Sequence, residues 1–148
     1  MAEQSKDPEY YIDAVWEQID IYNGAEAFLK SYSDVEQPAG KLYAAHFAQS
    51  EICNGGFKQL FWNSTGVLSP EAVQGFQLIG MPRTAELLVA AMRTLGNPYP
   101  RDRKERQTRL ETVSEDILNS IDRQFFVEIE NENGGFDSAI RTFVQTNQ

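Results

Sequence analysis

The chain contains one cysteine and one histidine among 148 residues, and this scarcity excludes several kinds of site. A single cysteine cannot form an internal disulfide. One cysteine and one histidine cannot supply an ordinary zinc site, so we expect no bound metal. His46 and Cys53 lie on one predicted helix, and seven residues of helix span about 10.5 Å. A nucleophile and its base must approach within about 3 Å, so the two residues are not a catalytic dyad.

Long hydrophobic runs and cofactor motifs are also missing. No apolar stretch approaches the roughly 18 residues of a membrane span. The first seven residues have neither the basic flank nor the apolar core of a signal peptide, so we expect a cytoplasmic protein that does not bind membranes. Nucleotide-binding and serine-hydrolase motifs are absent. We therefore expect a protein that is not an enzyme and that needs no cofactor.

The charge is negative and unevenly distributed. The net charge is −9. Residues 1–57 carry ten acids and three bases, residues 58–110 carry four acids and eight bases, and residues 111–148 carry eight acids and two bases. Such a field repels nucleic acid and steers basic proteins toward the acidic regions. The acidity either serves solubility alone or indicates a basic protein as partner, without direct binding of nucleic acid.

Every long apolar pattern in the chain has the helical period, and no segment alternates like a strand. The sequence therefore predicts an all-α fold of about seven to nine helices with no significant sheet, in a single helical domain over residues 1–148. Asp7 and Pro8 suit the N-cap and first turn of the first helix. The predicted helices cover 9–22, 25–32, 39–53, 57–63, a segment from Ser69 to Gly80, 82–95, 101–112, a segment from Ser114, and 135–145.

One side of the first predicted helix carries a stripe of acids, placed opposite Ile12, Trp16 and Ile19. One carboxylate per helical turn gives about one charge per 5.4 Å. Duplex DNA presents one phosphate charge per roughly 1.7 Å of axis. Other acids must therefore lie beside the stripe if it imitates DNA; otherwise it is an ordinary solvated helix face. The predicted contacts are the stripe itself and the acids nearest to it in sequence: Glu9, Asp13, Glu17, Asp20, Glu26, Asp34 and Glu36.

The least random feature is a repeat of the pattern Glu-x-x-Asn-Gly-Gly-Phe. Asn-Gly after a periodic run ends a helix, and the following Phe can anchor the next helix in the core. The spacing lets the two glutamates accept hydrogen bonds from backbone amides of the turn. A phosphate-binding loop is the alternative, but the Lys and Ser or Thr that such loops need are absent. The interpretation as helix-to-helix corners involves Glu51, Asn54, Gly55, Gly56 and Phe57 in the first copy, and Glu130, Asn133, Gly134, Gly135 and Phe136 in the second.

The basic segment Arg101–Arg109 is predicted to be a solvated helix whose own acids partly neutralise its positive charge. Arg101/Glu105, Asp102/Arg106 and Glu105/Arg109 are spaced to pair one turn apart. No aromatic residue is interleaved to stack on bases, which argues against nucleic-acid binding. A docking patch for an acidic partner is the alternative.

The pattern Glu51-x-x-Asn54-Gly55-Gly56-Phe57 continues as x-Gln59-x-Phe61-x-Asn63-x-x-Gly66. In this form it resembles the signature of a bacterial family of DNA-mimic-like proteins, a helical domain of unknown function. The resemblance is most specific over residues 42–80 and extends more loosely to the last helix. It implies an all-helical domain without known enzymatic activity. It also implies an acidic surface that occupies the DNA-binding face of a transcription factor, although the signature itself looks structural.

The leading hypothesis is thus a non-enzymatic acidic binding protein that occupies the basic, nucleic-acid-binding surface of a partner. A second hypothesis is a small-molecule or enzymatic site in a pocket lined by His46, Trp62 and Tyr43. A third is an immunity-like inhibitor of a basic toxin, which shares the electrostatics and differs in the partner. The sequence names neither the partner nor the oligomeric state.

Overall fold

The computed structural model describes residues 7–147, and this range contains helices and no strand. The predicted all-α fold is confirmed. Eight α-helices and two short 3-10 helices follow one another along the chain. Their bounds are α1 Pro8–Trp16, α2 Ala25–Ser33, α3 Ala39–Trp62, a 3-10 turn Ser64–Leu68, α4 Ser69–Leu78, α5 Pro82–Arg93, α6 Arg103–Leu110, α7 Glu115–Asn131, a 3-10 turn Glu132–Gly134 and α8 Phe136–Thr146.

Helix α3 lies at the centre and packs against α1, α4, α6 and α7, while α5 packs against α4 and α7. Its first half buries a run of small and apolar residues that includes Leu42, Ala45, Ala48 and Ile52. Alanines on a helix face let neighbouring helices approach closely, and α3 has its most extensive contacts with α4. None of the helices in residues 7–147 is both long enough and apolar enough to cross a bilayer.

A chain of phenylalanines connects the second half of α3 with the C-terminal helices. Phe57 contacts Phe125 of α7 edge to face, with ring centroids 5.3 Å apart. Phe125 meets Phe76 of α4 at 6.1 Å, and Phe76 meets Phe136 of α8 at 6.0 Å. Such edge contacts add roughly 0.5–1.5 kcal/mol per pair beyond the area that they bury. The two motif phenylalanines, Phe57 and Phe136, are therefore connected through Phe125 and Phe76.

The first helix is shorter than predicted. Its start is confirmed, because Asp7 Oδ1 accepts a hydrogen bond from the Tyr10 amide at 3.0 Å and Pro8 occupies the first turn. The helix ends at Trp16 instead of continuing to residue 22. Asp20 Oδ1 accepts from the amides of Tyr22 and Asn23 at 2.9 and 3.1 Å, which is a local turn that competes with the helix.

The predicted solvated character of the basic segment is wrong for its central residue. Arg106 on α6 has no exposed surface. Its Nε donates to the carbonyl of Phe61 at 3.0 Å and its Nη2 to that of Asn63 at 2.8 Å, while Nη1 donates to the carbonyl of Arg101. The guanidinium thus satisfies carbonyls where α3 ends. Burial lowers the pKa of Arg106, yet an arginine keeps its charge in proteins.

The predicted intrahelical pairing is also largely replaced by tertiary contacts. Arg101 forms a two-pronged ion pair with Glu71 of α4, at 2.8 and 2.9 Å. Asp102 caps α6 by accepting from the Glu105 amide. Of the three predicted pairs, the one between Glu105 and Arg109 is formed, at 2.7 Å. Arg101 and Arg106 thus clamp α6 and the residues before it to α3 and α4, while Arg103, Lys104 and Arg109 are exposed.

Replacing Arg106 with lysine should destabilise the fold strongly. Lysine keeps the charge and loses the planar fork, so buried carbonyls lose their donors, at about 1–3 kcal/mol for each unsatisfied group. We expect Arg106→Lys to lower the free energy of unfolding by about 2 kcal/mol or more in urea denaturation. Arg103→Lys is the matched control on an exposed position of the same helix; it changes one solvent-exposed hydrogen bond to the Trp62 carbonyl and should cost less than about 1 kcal/mol. Equal effects of the two changes would contradict this role for Arg106.

Candidate functional site

The first copy of the repeated motif forms a sharp kink inside α3. The backbone leaves helical conformation at Gly55, with φ −149° and ψ 19°, and at Gly56, with φ 76° and ψ −179°. Glycine adopts a positive φ of this kind more readily than other residues do. The chain then re-enters a helix at Phe57. The predicted boundary between a helix over 39–53 and one over 57–63 thus corresponds to this kink.

The kink is held from across the molecule by Asp122 of α7. Its Oδ1 accepts a hydrogen bond from the Phe57 amide at 2.8 Å. A Cβ on Gly56 would lie 2.6 Å from Asp122 Oδ2, so the close approach also requires glycine. Burial raises the pKa of Asp122, while the bond from Phe57 and the charge of Arg123 act in the opposite direction. The amide that a phosphate would use in the rejected loop interpretation already binds a carboxylate of the protein.

Glu51 organises the outer side of the kink, but not in the way that the spacing predicted. Its carboxylate accepts from the side chains of Gln59 at 2.7 Å, Asn63 at 3.1 Å and Thr65 at 3.2 Å. The predicted bonds from backbone amides of the turn are replaced by these side-chain donors. Asn54 Nδ2 donates to Gln59 Oε1 at 3.3 Å. The polar signature residues therefore bind one another across the kink.

The last signature glycine makes room for the buried arginine. A Cβ on Gly66 would lie 2.6 Å from the Leu60 carbonyl and 2.7 Å from Arg106 Nε. The Gly66 carbonyl in turn accepts from the Tyr99 hydroxyl at 2.7 Å. The signature from Glu51 to Gly66 thus brings the kink, the Glu51 network and the Arg106 clamp together.

The second copy of the motif forms a different corner between α7 and α8. Asn133 and Gly135 both have positive φ, 51° and 94°. Asn133 Nδ2 donates to the Ile79 carbonyl at 2.9 Å. Glu132, which the sequence analysis did not single out, accepts from the amides of Arg83 and Thr84 at 2.7 and 2.8 Å and so caps α5. Glu130, the equivalent of Glu51, is exposed.

Six of the seven predicted acidic contacts are exposed, and the seventh has local hydrogen-bond partners. Only Glu9 and Asp13 lie on helix α1, because Glu17 is its C-cap residue. Asp20 lies beyond the helix, so the predicted regular stripe of four acids is wrong from Trp16 onward. Hydrogen bonds from Asn23 and from the Tyr22 amide lower the pKa of Asp20. The exposed acids of this surface, hereafter the acidic N-terminal surface, are Glu9, Asp13, Glu17, Glu26, Asp34 and Glu36.

The acids of this surface are not neutralised by the ion pairs found within residues 7–147. Those pairs join Lys58 to Glu115, Arg83 to Glu128, Arg101 to Glu71 and Arg109 to Glu105. One cation, Arg106, and one acid, Glu71, are buried, so the balance of charge outside stays negative.

The pocket predicted around His46, Trp62 and Tyr43 does not form. Trp62 borders a groove of about 600 Å³ whose lining includes Gln59, Asn63 and Leu118, and neither His46 nor Tyr43. His46 is half-buried and packs against Phe47 at 5.1 Å, while Tyr43 lies under Trp16. The Cys53 thiol donates a hydrogen bond to Gln49 Oε1, with the sulfur 3.8 Å from the oxygen. Over residues 7–147, histidine, cysteine and carboxylate side chains form no group that could hold a metal ion.

Sequence reasoning missed Asp122, Glu132 and Arg106. For Asp122 a signal was present, because it follows Leu118 by four residues and precedes Phe125 by three. That spacing places a carboxylate on the apolar face of α7. The other two residues have no comparable signal, since their partners lie on distant segments.

These features define an all-helical protein with an acidic exterior and a glycine kink fixed by internal polar contacts. A family model described as DMP19-like protein, a DNA-mimic family, matches residues 33–147, and the chain belongs to this family. The resemblance seen in the sequence is thereby confirmed. No curated protein and no solved structure matches the chain.

The two motif glutamates should differ sharply in their effect on stability. Glu51→Ala removes the acceptor of three side-chain hydrogen bonds and should lower the free energy of unfolding by about 2 kcal/mol. Glu130→Ala changes the same motif position in the second copy, at an exposed site, and should cost less than about 0.5 kcal/mol. Chemical denaturation of both variants measures the difference. A loss at Glu130 as large as that at Glu51 would show that the two copies are equivalent.

Asp122 should give the protein a characteristic dependence of stability on pH. Because the pKa of Asp122 is raised in the fold above its ordinary value of 3.8, the folded state holds the proton more tightly than the unfolded state. The contribution of Asp122 to stability is therefore greatest at low pH. It falls as the pH rises from 3.8 through the pKa of Asp122 in the folded state. In Asp122→Asn the contribution is absent. The stability of the natural protein minus that of the variant should decrease over this interval in urea titrations, and an increase would contradict the assignment.

Proposed function

We propose that this chain is a non-enzymatic DNA mimic whose acidic N-terminal surface occupies the basic, nucleic-acid-binding surface of a partner protein, such as a transcription regulator. Membership of a DNA-mimic family supports the general function. The observation that carries the choice of surface is the set of six exposed acids between Glu9 and Glu36, which no ion pair within residues 7–147 neutralises. Such a partner is found in the cytoplasm, where we therefore place the protein.

The acids belong to several backbone segments and do not form a single helical stripe. Helix α1 and its C-cap residue contribute three carboxylates, α2 contributes Glu26, and the segment after α2 contributes Asp34 and Glu36. Carboxylates on one helix are spaced more widely than DNA phosphates, at about 5.4 Å per turn. Acids from α2 and its following segment would supply the additional charge. Because these acids lie on more than one helix and on a connecting segment, their charges can be spaced differently from those on a single helix.

The positions of Arg101 and Arg106 are consistent with this proposal. A cation on the surface would weaken the field that attracts a basic partner. Arg106 is buried among backbone carbonyls, and Arg101 is paired with the buried Glu71. Two of the five cations of the basic segment therefore stabilise the fold, while Arg103, Lys104 and Arg109 remain exposed, away from the N-terminal acids in sequence.

The family match begins at residue 33, whereas four of the six exposed acids precede it. The matched region contains the signature and its kink, which have structural explanations in α3, α6 and α7. We infer that the family membership identifies the scaffold and the class of function, while the N-terminal segment selects the particular partner.

The experiment is capture of partners from a lysate of the source cells on the immobilised protein, at low and high salt. We expect a DNA-binding protein whose capture weakens steeply with salt, since exposed charges are screened within about 8–10 Å near physiological ionic strength. Labelled DNA should then be displaced from the purified partner as this chain is added. Survival of the DNA complex at saturation would refute the proposal, and capture of a basic toxin that binds no DNA would favour an immunity-like inhibitor instead.

A charge-matched pair of triple variants tests the surface itself. Glu9→Gln, Asp13→Asn and Glu17→Gln remove three charges from the acidic N-terminal surface, and at about 0.2–1 kcal/mol per exposed pair they should weaken binding at least about threefold. Glu86→Gln, Glu111→Gln and Asp116→Asn remove three exposed charges elsewhere. This control should bind almost as tightly as the natural protein. Equal weakening by both triples would mean that net charge, and not this surface, determines the affinity.

A further inference from the structure

Trp16 is a large apolar side chain beside the acids of α1. Half of its surface is exposed, at 50%. Glu9, Asp13 and Trp16 are spaced i, i+4 and i+7, which places all three along one face of the helix. The sequence analysis placed Trp16 opposite the acids, and this is wrong because Ile12 and Val15 form the buried face. The indole instead lies between the two carboxylate positions and the core.

The indole is supported from below by aromatic residues of α3. Its ring lies 4.7 Å from that of Phe47 and 6.4 Å from that of Tyr43, both edge to face. Phe47 and Tyr43 contact each other at 4.6 Å. Trp16 is thus held on one side and exposed on the other, as part of an aromatic patch formed by Trp16, Tyr43 and Phe47.

Carboxylates of α1 and α8 lie near this patch. His46 contacts Phe47 edge to face. Burial lowers the pKa of His46, while the negative charges of Asp137, Glu9 and Asp13 act in the opposite direction. Glu9 and Asp13 belong to α1, and Asp137 lies in the first turn of α8. An exposed indole bordered by carboxylates offers a cation both a π face and opposite charges.

We propose that the aromatic patch around Trp16 is a docking site for an arginine side chain of the basic partner, with the guanidinium stacked on the indole and attracted by Glu9 and Asp13. This inference rests on the proposed function and names the chemistry of one contact within it. Arginine fits better than lysine because its guanidinium is planar, more weakly hydrated and able to stack on aromatic faces. Trp is also the aromatic side chain that attracts cations most strongly.

Charge argues against a second copy of this chain as the occupant. A two-fold interface would bring the same patch of both copies together. Glu9, Asp13 and Asp137 of one copy would then face the same acids of the other, and like charges at an interface oppose association. A basic partner has the complementary charge.

The test uses short basic peptides as probes of the whole protein. In a Trp62→Phe background Trp16 is the one remaining tryptophan and reports binding by its fluorescence. Capped octa-arginine and octa-lysine carry the same charge and differ in their ability to stack. We expect octa-arginine to shift the Trp16 emission and to bind about two- to fivefold more tightly than octa-lysine, as expected for a cation–π contact at an exposed site.

Variants of Trp16 separate stacking from charge. With dye-labelled peptides, Trp16→Leu, which keeps an apolar side chain, should lose the preference for arginine, whereas Trp16→Phe should retain part of it. Trp62→Ala is the matched control, since Trp62 is 43% exposed and borders a different groove. It should leave both affinities unchanged. Circular dichroism checks that the leucine variant is folded, and the phenylalanine variant tests the same contact if it is not.

The outcomes distinguish this inference from the function on which it rests. Equal, salt-sensitive binding of both peptides that is insensitive to Trp16 would overturn the stacking contact and leave the acidic surface intact. No binding of either peptide at low salt would overturn both. Sedimentation that shows a dimer lost in Trp16→Leu would also overturn the proposal, because the patch would then be covered by a second copy.

Discussion

The architecture depends on a kink in the middle of its central helix. The hydrogen bond from the Phe57 amide to Asp122 fixes the point where α3 resumes after Gly56, and a side chain at Gly56 would displace that carboxylate. The direction of the second half of α3 determines where Phe57 and Phe61 enter the core. It also determines where the carbonyls of Phe61 and Asn63 meet Arg106. A bent central helix therefore has to be specified before the surrounding helices can pack.

This dependence explains why the family signature is rich in polar and glycine residues although it marks no catalytic site. Glu51, Gln59, Asn63 and Thr65 satisfy one another at the outside of the bend. Partially satisfied polar groups at such a position would be costly, so the residues are useful only as a set. The signature therefore specifies the bend. The acids proposed to bind a partner are not part of it. The exposed acids before residue 33 lie outside the region that the family model matches.

The sequence predicted the local structure better than the tertiary contacts. The start of α1, the all-α class and the break in α3 follow from capping residues, helical periodicity and glycines, which act within a few residues. The course of residues 17–22 could not be predicted in this way, because the Asp20 side chain competes for backbone amides that periodicity assigns to a helix. Arg106 was mistaken for a surface cation since its acceptors are carbonyls far along the chain. The same applies to Glu132, whose partners begin α5.

Several arginines of α6 and of the residues before it bind groups of the fold, whereas the acids of the acidic N-terminal surface are exposed. Arg106 is buried and Arg101 is paired with Glu71, while the six exposed acids have no ion-pair partner within residues 7–147. Charge alone attracts many basic surfaces, and its effect is screened by salt. An exposed aromatic group distinguishes among cations by their shape and hydration. The position of Trp16 beside Glu9 and Asp13 therefore adds chemical selectivity to a surface whose attraction is otherwise general.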